Sequence, residues 1–365
     1  MNKILIFYGP KSEFEKLIPN EYKNLTEIAS EHDAERRELT LKSLENRKEP
    51  IKRQIKEFVV GSDEYASVNE HVITNFCNYI SNFTIENLYI HNPPTCIEKQ
   101  LNKLFADIVT IQKYDYPQFT VDNLKTFRDT YSQYIIGQDK ARDEIAANLY
   151  SMLKNTNKKP LVLLFYGDSG IGKTETAKFL SRLTGCNLFR KQFSMLQNNQ
   201  SFNYIYGGTH SEKCFAKDLL DRESNIILLD EFDKAYNAFH NAFYEMFDEG
   251  YYSDTNYNVE LNKSIIICTS NYKNEDDIIK NLGMPIFSRF DAIIKFDDFS
   301  LDTRKQIIEN CYRKIILEFT TEEQDFISKN DLLNKVLSFA KYLSNARIIE
   351  KKIRECISKL LITRL

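Results

Sequence analysis

Apolar and polar residues alternate along this chain in distinct textures. Lys3–Tyr8 reads KILIFY, a short apolar run closed by Gly9 and Pro10, and predicts a first β-strand. Long charged stretches follow. In EHDAERRELTLKSLENRKE the apolar positions Leu39, Leu41 and Leu44 stand among charges in a pattern that fits an amphipathic helix, ended or restarted by Pro50. A second strand is expected at 87–91 (NLYIH), closed by Asn92-Pro93-Pro94, with a helix from Ile97 to Ile108 behind it. Residues 111–132 are polar and aromatic around Pro117 and read as linker plus helix.

From Tyr134 the texture changes. Apolar runs of strand length appear at 161–166 (LVLLFY), 225–230 (NIILLD), 264–270 (SIIICTS) and 291–296 (DAIIKF), with helical stretches between them. Continuous apolar strands alternating with helices predict a parallel sheet covered on both faces. After Phe299 the pattern is helical to the end. The chain therefore divides into a small α/β domain (1–110), a linker and helix (111–133), a large α/β domain (134–299) and a small helical domain (300–365).

Composition narrows the class. At 365 residues the chain exceeds one core, and 42% hydrophobic with 28% charged residues is ordinary for a soluble protein. A net charge of −3 offers no general attraction to nucleic acid or acidic membranes. The seven cysteines form no C-x-x-C pair and read as reduced thiols of a cytoplasmic protein. The first apolar run is too short for a signal peptide or a membrane span.

The chemistry begins at 167–174. Gly167-Asp168-Ser169-Gly170-Ile171-Gly172-Lys173-Thr174 has the spacing of a phosphate loop, set between an apolar strand and a helix. Glycines let backbone N–H groups curl round phosphate oxygens, and the helix points its positive end at them. Lys173 would reach the β- and γ-phosphates, and Thr174 would supply an oxygen to Mg²⁺. Asp230 ends the next buried strand and would complete the Mg²⁺ shell, while Glu231 is suited to polarise an attacking water. The bland alternative is a ligand-free turn and two acids that cap the following helix. Between these motifs lies SFNYIYGGTH (201–210), where large side chains adjoin Gly207 and Gly208; this predicts a flexible loop rather than strand or helix.

With these motifs placed, the chain resembles an AAA+ ATPase of the Clp-type unfoldase branch over roughly residues 134–360. IIGQDKARDEI (135–145) resembles the segment before the phosphate loop, DEFDKA (230–235) its DEIEKA signature, and MFDEGYYSDTNYNVELNKSIIICTSN (246–271) its hairpin and third strand. IFSRFDAIIKF (286–296) and NARIIEKKI (345–353) resemble the arginine-finger and sensor-2 segments. The resemblance implies a P-loop AAA+ module followed by a helical lid. ATP with Mg²⁺ would be bound at the interfaces of a homo-oligomer, a hexameric ring. Ile135 and Ile136 would flank adenine, Asn271 would orient the attacking water, Arg289 would serve a neighbour's nucleotide, and Arg347 would contact the γ-phosphate. It also implies an aromatic pore loop at Tyr206, with Tyr204 as the near alternative and Gly207 where the family has an apolar residue.

Departures from the family matter as well. Only 17 residues separate Asn271 from Arg289, and no Ile-Gly-Phe or Ile-Gly-Leu triplet occurs, so no peptidase-docking loop is expected. Residues 1–110 resemble none of the family's common N-domains and are read as the recruiter of a protein client or effector. The leading expectation is an ATP-dependent protein remodeller. The alternative is an ATP-hydrolysing switch that controls an effector, as in bacterial defence, without threading substrate. A nucleic-acid motor is disfavoured because THSEK and YYSDTNYN bring little positive charge.

Overall fold

A computed structural model describes the backbone of residues 1–42, 52–196 and 201–363, and the side chains of these except 35–42. Leu44 and Pro50 lie outside the described residues; the helix expected around Leu39 and Leu41 runs Leu25–Lys42. Along the chain the strands are β1 (Lys3–Tyr8), β2 (Lys23–Asn24), β3 (Arg53–Val60), β4 (Phe83–His91), β5 (Val109–Lys113) and β6 (Leu161–Tyr166). They continue as β7 (Phe189–Gln192), β8 (Ile226–Asp230), β9 (Tyr251–Ser253), β10 (Asn258–Glu260), β11 (Ile265–Thr269) and β12 (Ala292–Lys295). Two parallel sheets result, in the orders β2-β3-β4-β1-β5 and β12-β6-β11-β8-β7, while β9 and β10 form an antiparallel hairpin.

The chain folds into two compact units that cut across sequence order. One comprises Met1–Pro117, Asn198–Glu223 and Asn241–Leu261; the other comprises Gln118–Gln197, Ser224–His240 and Asn262–Leu365. The boundary expected at 110 therefore moves. β5 runs through it to Lys113, and the first unit also takes two segments that sequence order assigns to the large α/β domain.

In the first unit the core is built on Ile4, Ile6, Phe58, Val60, Leu88 and Ile90, all fully buried. The two later segments are fastened to this domain by hydrogen bonds that span much of the chain. The Lys11 backbone N–H donates to Asp221 Oδ1 at 2.7 Å, and the Thr95 N–H donates to the Asn256 carbonyl at 2.8 Å. The Tyr116 hydroxyl donates to the Leu220 carbonyl at 3.2 Å. Arg222, only 3% exposed, lays its guanidinium 3.8 Å from the Tyr116 ring centre and donates to the Leu219 and Glu260 carbonyls. A buried guanidinium is tolerable only with such partners.

In the second unit β6, β8 and β11 are buried along their whole length, as continuous apolar runs in a doubly covered parallel sheet should be. The helix Lys173–Leu183 follows β6 directly. The expected helical end is present as Leu301–Ile316, Thr321–Lys329, Leu332–Ser338 and Ala346–Ile362. Ser300, Thr320 and Asn345 cap three of these through their side-chain oxygens. Ile349, Ile353 and Ile357 recur every fourth residue and are fully buried in one cluster with Ile308 and Ile315. Each such side chain contributes about 2 kcal/mol of burial.

Candidate functional site

The site lies in the second unit, at the carboxyl ends of β6, β8 and β11. After Tyr166 the chain turns through the phosphate loop and enters its helix at Lys173. Gly172 makes this entry possible, with φ 114° as the residue before the helix. A side chain there would be strained, and its Cβ would stand 3.0 Å from Ile135 Cγ2. Lys173 is 7% exposed and its ammonium donates to the carbonyls of Gly167 (2.6 Å) and Asp168 (2.7 Å) and to Asn271 Oδ1 (3.1 Å). Burial pulls its pKa down to about 8 against the opposing pull of Asp233, Asp168 and Asp230.

Asp230, 5% exposed, is held from both sides. Arg190 on β7 sets Nε and Nη2 on Oδ2 at 3.0 and 2.6 Å. Thr269 on β11 donates its hydroxyl to Oδ1 at 2.6 Å, and Thr174 donates to the same oxygen at 3.3 Å. The Thr269 hydroxyl also accepts the Glu231 backbone N–H at 2.9 Å. Glu231 sits in the left-handed region at φ 54°, ψ 44°, and its Oε2 accepts a hydrogen bond from Gln192 Nε2 at 3.2 Å. One carboxylate oxygen and one hydroxyl, adjacent to the phosphate loop, suit Mg²⁺, which keeps most of its waters and takes its other oxygens from phosphates. Among the described residues no group of three or more His, Cys, Asp or Glu could hold a metal.

A cavity of about 400 Å³ joins these groups, and it is lined by Ile135, Ile136, Ser169 to Thr174, Asp230, Glu231, Asn271 and Arg347. The lid helix meets the loop directly. The Ala346 N–H donates to the Gly170 carbonyl at 3.1 Å, and Arg347 Nη1 lies 3.5 Å from Ser169 Oγ. Gly167 and Asp168 do not line the cavity; their carbonyls hold Lys173 instead. Arg289 is not brought to this cavity; it is half-buried and donates to the Pro285 carbonyl at 2.6 Å.

The aromatic segment departs from expectation. Ser201–Tyr206 is a helix, not a flexible loop. Ser201 and Ile205, one turn apart, are buried, and the buried Tyr252 hydroxyl donates to the Ile205 carbonyl. Tertiary packing thus overrides the local Gly-Gly signal. Gly207, at φ 83°, ends the helix and is no free hinge: a Cβ there would stand 2.3 Å from Thr255 Oγ1. Tyr204 is tied down through its hydroxyl, which donates to Asp218 Oδ2 at 2.5 Å. Tyr206 is half-buried and rests on Phe202, with ring centres 4.5 Å apart.

Sequence reasoning missed Arg190, Gln192 and Thr269. The missing signal is register: β7 pairs with β8 so that Gln192 lies opposite Asp230, and the two-residue strand period puts Arg190 on the same face.

Comparison with known proteins agrees with this geometry. Residues 158–321 match the AAA domain (Cdc48 subfamily). A ClpA homolog protein of Fuscovulum blasticum is 25% identical over 299 residues, covering 72% of this chain and 37% of that protein. The chaperone protein ClpB of Malacoplasma penetrans is 28% identical over 218 residues, covering 52% of this chain and 30% of its own. The chain thus spans about a third of the length of the curated relatives it matches. A closed-state reconstruction of Hsp104 with ATPγS and FITC casein shares the fold at a TM-score of 0.55 and 14% identity, covering 100% of this chain and 88% of that one. In its phosphate loop, its sheet order and its helical end, and over residues 158–321 in sequence, the chain is similar to the Clp-type AAA+ ATPases.

Proposed function

We propose that the chain hydrolyses ATP with Mg²⁺ and uses the cycle to remodel a protein partner as a ring-forming assembly. The observation that carries the reading is the convergence of Lys173, Thr174, Asp230, Glu231, Asn271 and Arg347 on one cavity. Lys173 and the loop amides would bind the β- and γ-phosphates. Thr174 and Asp230 would hold Mg²⁺, which neutralises charge developing on the phosphate oxygens. Glu231 would take the proton of the attacking water while Asn271 orients it, and Arg347 would fix the γ-phosphate from the lid. Arg289, which does not line its own chain's cavity, suits a role at a neighbour's nucleotide. Arg289→Ala should keep ATP binding and lose about 10³–10⁵-fold in turnover. Near-normal turnover in that variant would remove it from this role.

A second reading, an ATP-driven switch acting on an effector, is favoured by one observation. The 198–223 and 241–261 segments are packed into the same unit as the N-terminal domain, with Tyr204 and Gly207 held in place. If the chain grips polypeptide, Tyr206 is the residue proposed to do so, since the Tyr204 hydroxyl is engaged. The ATPase rate with and without unfolded protein separates the two readings. Stimulation supports the remodeller, and indifference supports the switch.

A further inference from the structure

We infer that Asn310 selects adenine over guanine in the nucleotide cavity, a proposal that rests on the ATP reading above. The helix Leu301–Ile316 turns Ile307, Asn310, Cys311 and Lys314 toward the cavity at i, i+3, i+4 and i+7, so they share one face. Ile135, Ile136 and Ile307 supply apolar walls of the kind a planar base packs against. Asn310 is the uncharged amide on this face. It is half-buried, and among the described residues its side chain has no hydrogen-bond partner. Elsewhere half-buried amides are engaged, as Asn123 is through its Nδ2, which donates to the Leu183 carbonyl.

An amide presents one donor and one acceptor side by side. Adenine offers the complement along one edge: the N7 acceptor beside the N6 amino donor. Guanine offers N7 and O6 there, two acceptors, so the amide oxygen would face a lone pair. A half-enclosed amide left unmatched costs affinity, which is how a hydrogen-bonding site rejects the wrong ligand. The assignment makes the lid helix a reader of base identity as well as a cover.

The test is calorimetric binding of ATP, GTP and 7-deaza-ATP to the full chain and to Asn310→Leu. The parent chain should prefer ATP to GTP and should bind 7-deaza-ATP about tenfold more weakly than ATP. In Asn310→Leu the ATP preference should fall about tenfold, chiefly through weaker ATP binding, and the 7-deaza penalty should vanish. An unchanged ATP-to-GTP ratio in the folded variant overturns the assignment. So does a parent chain that binds 7-deaza-ATP as tightly as ATP, a result that needs no variant to fold. If the parent chain binds none of the three, the ATP reading itself falls, and this assignment falls with it.

Discussion

Thr269 ties the two acids of the site together, and replacing it measures how much that tie is worth. Its hydroxyl donates to Asp230 Oδ1 at 2.6 Å and accepts the Glu231 N–H at 2.9 Å, and the residue is only 2% exposed. Thr269→Val keeps the shape and removes both bonds. A hydrogen bond to a charged group contributes about 1.5–3 kcal/mol, and a buried N–H left without an acceptor costs about 1–3 kcal/mol. Arg190 still holds the other oxygen of Asp230, so the loss should sit near the low end of the sum, about 3 kcal/mol. Turnover should fall as well. Glu231 occupies a left-handed backbone conformation that costs about 1–2 kcal/mol, and its N–H bond to Thr269 helps to hold it there. If about 2 kcal/mol of positioning is lost, ATP turnover drops about thirtyfold. Urea denaturation gives the first number and steady-state phosphate release the second, with Thr269→Ser as the hydroxyl-retaining control. A Thr269→Val chain as stable and as fast as the parent would refute the reasoning.

Two further expectations rest on single groups. Because burial lowers the Lys173 pKa to about 8, a bound triphosphate should raise it again. ATP binding near pH 8.5 should then take up about three-quarters of a proton, and the affinity should weaken by up to about tenfold per pH unit above that. Titration calorimetry in buffers of different ionisation enthalpy reads the proton directly, and zero uptake contradicts the assignment. Without nucleotide the lowered value acts on folding: stability should rise as pH climbs from about 8 toward 10.5, since only the unfolded chain keeps the proton there. In the first unit, Gly207→Ala combines a left-handed backbone with a Cβ 2.3 Å from Thr255 Oγ1 and should cost about 2–3 kcal/mol. Adding Thr255→Ala should recover the steric share but not the backbone share; full recovery, or no cost at all, would contradict the packing.

Much of this molecule can be read without coordinates. Apolar runs such as LVLLFY and SIIICTS are buried on both faces because only a doubly covered strand is apolar at every position, and they became β6 and β11 at nearly the expected bounds. The phosphate loop is local chemistry: glycine positions, a lysine and a hydroxyl within eight consecutive residues, so spacing alone discloses it. The helical end was legible for the same reason, through caps and four-residue periodicity at Asn345 to Ile357.

What tertiary structure alone decided are the contacts between residues far apart. Arg190 and Asp230 are separated by 40 positions and Thr269 and Asp230 by 39, and they meet only because three strands align in one register. The helix Ser201–Tyr206 formed against its own Gly-Gly signal because Tyr252 and Asp218 offered partners that no local window contains. The joining of 198–223 and 241–261 to the N-terminal domain follows the same logic. Periodicity and spacing report the short-range energetics of a segment, whereas register, cross-chain hydrogen bonds and the assignment of a segment to one core or another are set by what surrounds it in space.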